Sequence, residues 1–366
     1  MTFRVGLTAA LLAFALTGQT GAPSGAFRVD LPADAPLALV SADWGQSQVA
    51  PRGGALQVDL RSTLMLKNTT QRRIRGVSVL VLAQEVAAGG KASVTVPALD
   101  VAPGEAFPLR VDVRLMRPAA GAGALVEVKL DGVLFEDLTF YGPNRLNSRR
   151  TMMAWELEAR RDRKTLLAMM ERSGGAAVRE EMVAVLARIA SMPRLDIQVA
   201  RAGRATAQGG TAVRFAALSM PEAPVELTGA KVVAAGPELR FPHLELTNRS
   251  PRGVRFVDVG WQARDRDGRQ FVAGSLPAAV QLAGKGKATL ERDQAYRVSL
   301  SGSLAGSRPV EFAEVSGFVG LVEFEDGEIW VPSKPVSAVT GEQQRLAEMY
   351  RRKGIEAVAG ELKRLR

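Results

Sequence analysis

Apolar and polar residues alternate in short runs along most of the chain, and this period of two is typical of strands with one buried face. Gly, Pro and Asp separate the runs. Short strands joined by such turns predict a β-sandwich of the immunoglobulin or fibronectin kind. The clearest runs lie at residues 74–82, 92–96, 109–115, 125–130, 254–262, 296–300 and 322–325.

Two Asp-Gly pairs, Asp131-Gly132 and Asp326-Gly327, each stand between alternating runs. This dipeptide favours a tight two-residue hairpin because its residues tolerate positive φ. We therefore expect a hairpin turn at both places.

Two segments of the chain recur in the same order. Leu66–Val81 and Leu246–Trp261 align without a gap at an offset of 180, with identities at 6 of 16 positions. Val133–Pro143 and Val322–Pro332 align at an offset of 189, with identities at 5 of 11. A period this long predicts two tandem repeats of one domain rather than a solenoid. Leu138 stands in the first repeat where the second has Gly, which predicts a different turn there.

Each repeat is followed by a basic stretch with the apolar spacing of an amphipathic helix, at Ser148–Met170 and Ala338–Leu362. The predicted fold is mainly β with helical appendages (α+β): two tandem antiparallel β-sandwich domains, each followed by amphipathic helices. The predicted domains are 27–146 and 211–337, with a helical hairpin at 147–193, a linker or strand at 194–210 and a C-terminal helix at 338–366.

The N-terminus has the three parts of a secretory signal peptide: Arg4, the apolar run Val5–Leu16 and small residues up to Ala26. The apolar run is shorter than the ~20 residues of a membrane span. We expect residues 1–26 to be the signal peptide, with cleavage at 18–26. The expected location is the periplasm or the medium of a bacterium, with no transmembrane span in the mature chain.

The composition narrows the possible chemistry. The 366 residues include no Cys and one His, which excludes zinc fingers, thiol enzymes and disulfide frameworks and leaves little of the usual catalytic equipment. Acidic residues occur along the whole chain and aromatics are only 5%, which disfavours nucleic acid despite a net charge of +10. We expect no enzyme activity, no cofactor and no nucleic-acid partner.

Positive charge is concentrated in the two helical stretches. Arg145–Lys164 and Arg345–Arg366 each carry seven bases against three acids. Such helices could contact a protein, an envelope polymer or a membrane surface. The candidate interaction residues are Arg149, Arg150, Arg160, Arg161, Arg351 and Arg352.

The carboxylate pairs Glu136-Asp137 and Glu325-Asp326 recur in the two repeats. Carboxylates near a turn are candidate calcium ligands. Neighbouring strand residues point to opposite faces, however, and Asp326 is better explained as the turn-forming residue before Gly327. We favour the structural role.

His243 lies in a predicted strand, and the aligned residue in the first repeat is Thr63. No partner for a catalytic base is evident, so a structural or surface role is favoured. The sequence has no G-x-S-x-G, S-x-x-K or P-loop motif. A hydrolase that uses two close carboxylates is the remaining catalytic alternative.

Asn68 and Asn248 begin N-x-[ST] sequences at the ends of predicted strands. The side chain of Asn readily bonds the backbone two residues on, so we predict turn formation rather than glycosylation. A carbohydrate platform would need exposed aromatic rings, whereas burial between helix and sheet is the commoner case. We predict burial for Trp155, Tyr350, Tyr141 and Trp330.

Four features together resemble domains of uncharacterised exported bacterial proteins, notably acidobacterial ones. They are the N-x-[ST] strand start, the alternating V-x-V strand, the V-x-F-E-D-G-x-x-W hairpin and the trailing Arg-rich helix. The resemblance rests on Leu66–Val81, Val133–Pro143, Leu246–Trp261 and Val322–Pro332. It implies tandem immunoglobulin- or fibronectin-like domains and an envelope or secreted location, and it implies no activity.

We therefore expect an exported, non-catalytic β-sandwich protein that mediates protein or cell-envelope interactions. One alternative is a binding module for polysaccharide or another anionic polymer. Another is a cryptic periplasmic hydrolase based on carboxylates. The sequence leaves the partner and the oligomeric state open.

Overall fold

The computed structural model describes residues 26–84, 89–119, 123–192, 194–201, 210–236, 238–292, 294–301, 308–336 and 339–365. The predicted signal peptide, apart from Ala26, and most of the predicted linker Arg201–Gly210 lie outside the described residues. The fold is mainly β, as predicted, with 50% of residues in strands and 22% in helices.

Contacts divide the chain into two units: Met1–Val96 with Asp100–Leu146, and Pro97–Leu99 with Asn147–Arg366. The strands of unit 1 are β1 (Phe27–Asp30), β2 (Leu37–Asp43), β3 (Gln48–Arg52), β4 (Ala55–Asn68), β5 (Ile74–Leu82), β6 (Lys91–Val96), β7 (Ala106–Pro118), β8 (Val126–Phe135) and β9 (Phe140–Tyr141).

Unit 2 contains helices as well as strands. Its elements are α1 (Ser148–Ser191), β10 (Arg194–Arg201), β11 (Thr211–Ala212), β12 (Arg214–Ala217), β13 (Val225–Ala235), β14 (Glu238–Asn248), β15 (Val254–Asp265), β16 (Gln270–Leu282), β17 (Lys287–Glu291), β18 (Gln294–Ser301), β19 (Arg308–Pro309), β20 (Phe312–Phe324), β21 (Ile329–Trp330), α2 (Gly341–Lys353) and α3 (Ile355–Arg364).

Among the residues that the structure describes, each unit holds two sheets. In unit 1, one sheet has the order β1-β8-β5-β6 with β9 beside β8, and in the other β4 pairs with β7 and with β2 and β3. In unit 2, one sheet has the order β12-β20-β15-β16 with β21 beside β20. The other has the order β10-β18-β14-β13-β11, with β17 and β19 on β14 and β18.

The core of unit 2 draws buried side chains from both of its sheets. Trp261 of β15 is fully buried, and its ring lies 5.2 Å from the ring of Phe241 on β14 and 5.8 Å from that of Tyr296 on β18. Val257 and Val315 belong to the same cluster. Aromatic pairs at this spacing add to the stability provided by the buried apolar area.

The two units share details of strand pairing that the repeat predicts. Bulges interrupt the pairing of β5 with β8 and of β15 with β20 at equivalent places, between Ile74 and Gly76 and between Val254 and Phe256. The partner strands carry a second bulge, at Asp131 and at Gly320, which also correspond at the offset of 189. The repetition therefore extends to irregularities of the backbone.

Two pairings depart from the predicted antiparallel arrangement. β1 pairs with β8 in parallel, and β12 pairs with β20 in parallel. Antiparallel pairing is enforced only where a hairpin joins the strands. In each unit the chain passes from this short edge strand into the other sheet, so the prediction of wholly antiparallel sheets is wrong at these edges.

The hairpin predicted at Asp131-Gly132 is wrong. β8 continues through both residues, and Asp131 is a buried bulge whose Oδ1 accepts the N–H of Arg145 and of Leu146, at 2.7 and 3.3 Å. Gly132 is required by packing, since a Cβ there would lie 2.1 Å from the ring of Phe140. At Asp326-Gly327 the predicted turn is present and joins β20 to β21.

The hairpin turns of the two repeats are alike, contrary to the expectation drawn from Leu138. Leu138 has φ 64° and Gly327 has φ 86°. The N–H of Leu138 donates to Phe135 O and that of Gly327 to Phe324 O, both at 3.0 Å. Leu138 therefore adopts the left-handed conformation that glycine takes more readily.

The helices pack on one another within unit 2. Gly174 (φ 76°) interrupts α1, and Gly354 (φ 80°) separates α2 from α3, again at an offset of 180. Thr340 and Gln343 form a capping box at the start of α2. The shared core contains three pairs of residues at this same offset: Leu166 with Leu346, Val178 with Val358 and Met182 with Leu362. No helix among the described residues is both long and apolar enough to cross a membrane.

Candidate functional site

The arginines at the start of α1 are bound within unit 2. Arg150 Nε donates to Glu323 Oε2 at 2.5 Å, and its guanidinium lies 3.5 Å from the ring centroid of Phe256. Arg149 donates to Gly327 O at 3.0 Å and also lies near Glu323. A third arginine, Arg255, donates to the other oxygen of Glu323 at 2.5 Å. These groups bind the start of α1 to the sheet of unit 2.

Burial raises the pKa of Glu323, but the hydrogen bonds from Arg255 and Arg150 outweigh it and bring this pKa below its ordinary value. The side chain is only 3% exposed. Glu323 is therefore a buried anion that stabilises unit 2 only while its arginines remain in place.

Arg160 and Arg161 also make intramolecular pairs. Arg160 Nε donates to Glu156 Oε1 at 2.8 Å, and Arg161 donates to Asp162 at 2.9 Å and to Pro332 O at 2.8 Å. The carboxylates of this region serve such pairs, which include buried Arg163 with Glu156 and Glu342 at 2.9 and 3.3 Å.

The C-terminal candidates are more exposed. Arg351 donates to Glu348 at 2.7 Å, and Arg352 lies 3.9 Å from the same carboxylate. Exposed pairs of this kind contribute little stability. Arg351 and Arg352 have the most exposed side chains of the six predicted interaction residues.

The repeated carboxylates lie beside arginines. In the second repeat Arg252 donates to both oxygens of Asp326 and stacks 3.8 Å over the ring of Phe324. The N–H of Glu328 and the guanidinium of Arg252 hold the pKa of Asp326 below its ordinary value. In the first repeat Arg72 stacks over Phe135 and pairs with Asp137.

Asp137 and Asp326 thus lie in the two turns, and each forms an ion pair with an arginine. Glu136 and Glu325 precede them, and both backbone N–H groups donate across to the neighbouring strand segment, at Arg73 O and Gly253 O. In the part of the chain that the structure describes, no group of three or more His, Cys, Asp or Glu side chains is placed to hold a metal ion.

Asn68 and Asn248 are buried and make the same hydrogen bonds. Asn68 Oδ1 accepts from the N–H and the hydroxyl of Thr70, and Asn248 Oδ1 accepts from the same groups of Ser250. Each Nδ2 donates to the carbonyl four residues on, at 2.7 Å, and to a loop about 34 residues on. The predicted turn is confirmed, and the folded chain leaves neither amide accessible to glycosylation.

His243 lies on the surface of the sheet, in a row formed by Lys231, His243 and Glu291 on three neighbouring strands. Its Nε2 lies 3.1 Å from Glu245 Oε1. An open depression of about 750 Å³ lies here and also touches Arg292. The mixed charges of the row are those of a solvated sheet face, which is the role that we favoured for this residue.

The four aromatic residues differ in exposure. Tyr141, Trp330 and Tyr350 are half-buried, whereas Trp155 on α1 is 44% exposed. Its ring covers Gly341 at the start of α2, where a Cβ would lie 2.6 Å away. The predicted burial of Trp155 is therefore wrong.

One surface that sequence reasoning missed is the outer edge of β2. Within the described residues, this strand pairs with β4 and with no strand on its other side. Leu39 is 39% exposed and Val40 is 57% exposed. An edge strand presents unpaired backbone groups, and apolar residues on it favour contact with another chain. The alternation of strands along the chain gives no sign of which strand lies at an edge.

Searches with family models and against curated proteins found no match. Among solved structures, red sea bream transglutaminase matches over 78% of this chain and 31% of its own, with 10% identity and a TM-score of 0.13. A β-glucosidase from Kluyveromyces marxianus matches over 75% of this chain and 46% of its own, with 9% identity and a TM-score of 0.18. The chain thus spans less than half of either protein, and similarities this low carry no argument about fold or function.

Proposed function

We propose that the chain is an exported, non-catalytic protein of two tandem β-sandwich domains that acts by contact with another protein molecule. The paired sheets, the core shared between the sheets of unit 2 and the matching bulges support the sandwich arrangement. The N-terminal sequence supports export.

The observation that carries the proposal is that arginines of the basic helix α1 bind groups of their own unit. Four of the six predicted interaction arginines, Arg149, Arg150, Arg160 and Arg161, bind carboxylates or carbonyls of their own unit. An anionic polymer would have to displace these partners before it could bind the four arginines. The positive charge of α1 that is available to such a polymer is therefore smaller than the sequence indicates. Protein contact is therefore favoured over the anionic-polymer alternative, with the β2 edge as the contact surface.

The proposal is tested with the full chain in two parallel measurements. We expect elution from dextran sulfate beads by ~150 mM NaCl, since weak exposed charges are screened at that salt. We expect a photo-crosslinking residue at Val40 to give one discrete protein adduct in cells that export the chain. The matched control carries the residue at Thr228, which lies at the corresponding edge in the second repeat.

Retention on the beads well above that salt, with no protein adduct from Val40, would overturn the proposal in favour of polymer binding. Equal adducts from Val40 and Thr228 would also overturn it, because contact would then not depend on the β2 edge.

A further inference from the structure

The two repeats have corresponding edge strands, so the exposed edge of β2 can be compared with an equivalent edge in the second repeat. Leu37 pairs with Asn68 and Val225 pairs with Asn248. A bulge follows two residues later in both strands, between Leu39 and Ser41 and between Leu227 and Gly229. Residues of β2 and β13 therefore correspond at an offset of 188.

Both segments lie at an edge within the described part of the chain. β2 pairs only with β4, and the outer neighbour of β13, β11, reaches only Val233 and Ala234. We refer to Leu37–Asp43 as the β2 edge and to Val225–Lys231 as the β13 edge. The bulge is common to the two edges, so it cannot account for any difference between them.

The edges differ in charge and in exposed apolar surface. The β13 edge carries Glu226 and Lys231, where the β2 edge has Ala38 and Asp43. Thr228 stands where the β2 edge has Val40. Charged side chains on an edge strand discourage pairing with another chain because pairing would remove them from water. The β13 edge is protected in this way, and residues 37–42 of the β2 edge carry no charge.

We infer that the β2 edge pairs with the β2 edge of a second molecule of this chain, so that two copies of the sheet that contains β4 join across a two-fold axis. Antiparallel pairing about Leu39 places Leu39 beside its counterpart and Val40 beside Ala38. The two Asp43 side chains lie at opposite ends of the paired strands, so they do not meet each other. Pairing also satisfies the backbone groups of the edge.

The net charge of +10 opposes this association at low ionic strength. Salt screens that repulsion and leaves the apolar contact intact. Self-association should therefore strengthen as salt is raised, whereas binding to a polyanion weakens with salt. The inference deepens the proposed function by naming its partner, and it rests on that proposal for the use of the β2 edge.

Sedimentation of the full chain at ~50 and ~500 mM NaCl tests the inference. We expect a dimer that is more populated at the higher salt. Val40→Lys should weaken dimerisation at least ~10-fold, because it places a charge in the pairing surface. Thr228→Lys, the matched substitution in the second repeat, should leave it unchanged. A chain that is monomeric at every salt, or a Val40→Lys variant that dimerises like the wild type, would overturn the inference.

A disulfide crosslinking experiment tests the same inference if the Val40→Lys variant does not fold. The chain has no cysteine, so Leu39→Cys introduces a single thiol that meets its counterpart across the axis. Oxidation should give a disulfide-linked dimer, and Thr228→Cys should not. Failure to form that dimer beyond the level of the control contradicts self-pairing. A Val40 crosslink to a different protein would overturn this inference while it supports the proposed function.

Discussion

The two repeats keep the same internal framework and differ at their edges. Asn68 and Asn248 make the same buried hydrogen bonds, and Arg72 and Arg252 stack on equivalent phenylalanines. By contrast, the β13 edge carries Glu226 and Lys231, whereas residues 37–42 of the β2 edge carry no charge. What the repeats share holds each of them together, so we look for function where they differ.

The largest effect should come from removing the shared asparagine. Asn68→Ala or Asn248→Ala removes the hydrogen bonds that the buried amide makes to three carbonyls and to the N–H and hydroxyl of Thr70 or Ser250. Each variant should lose about 2–4 kcal/mol of unfolding free energy. Urea unfolding of the full chain measures this loss. If only one variant is destabilised, the two frameworks are not equivalent.

A slightly smaller effect is expected at Glu323, where the first repeat has Leu134. Glu323→Gln removes the buried anion that holds Arg150 and Arg255, and it should cost about 2–3 kcal/mol at neutral pH. Urea unfolding again gives the value. Arg351→Gln, which breaks an exposed pair, is the control and should cost less than about 0.5 kcal/mol.

The same residue predicts a pH dependence. The folded pKa of Glu323 lies below the ordinary value of 4.5, so the native state binds its proton less readily than the unfolded state. This stabilisation is therefore complete above about pH 4.5 and is lost as the pH falls through the folded pKa. Thermal unfolding can be measured at steps of about one pH unit between about pH 3 and 7. The wild type should lose more stability toward acid pH than Glu323→Gln does. Equal slopes would contradict this role.

The turns offer a smaller test of the comparison. Gly327→Ala should destabilise by about 1 kcal/mol because φ is positive there. Leu138→Gly relieves the same strain in the first repeat. The expected gain in unfolding free energy is only about 0.5 kcal/mol, because Leu138 is half-buried and its removal also loses some packing contact. Thermal unfolding of the two variants checks the signs, and a shared sign would show that the turns are not equivalent.

Sequence reasoning predicted the parts of the fold that depend on local pattern. The strands, the repeat and the asparagine turns follow from alternation and from short motifs. Asp131-Gly132 misled because its use depends on distant groups: Arg145 and Leu146 supply the N–H donors and Phe140 the packing. A dipeptide carries no information about such partners.

The candidate site was harder to predict because pairing partners lie far apart along the chain. Arg150 and Glu323 are 173 residues apart, so the sequence alone does not reveal that the basic helix binds groups of its own unit. The pairs Leu166 with Leu346 and Val178 with Val358 occupy equivalent positions of the two repeats and lie in one helical core. Which strand lies at an edge is set by topology, which the alternation does not reveal.

The most direct test of the central claim is to exchange the edges. Ala38→Glu with Val40→Thr gives the β2 edge the residues that the β13 edge has at these two positions. Both positions are exposed, so stability should change by less than about 0.5 kcal/mol. We predict that this variant keeps the wild-type unfolding curve but sediments as a monomer at ~500 mM NaCl, where the wild type is a dimer. A variant that still dimerises like the wild type would contradict the claim that the difference between the two edges carries the function.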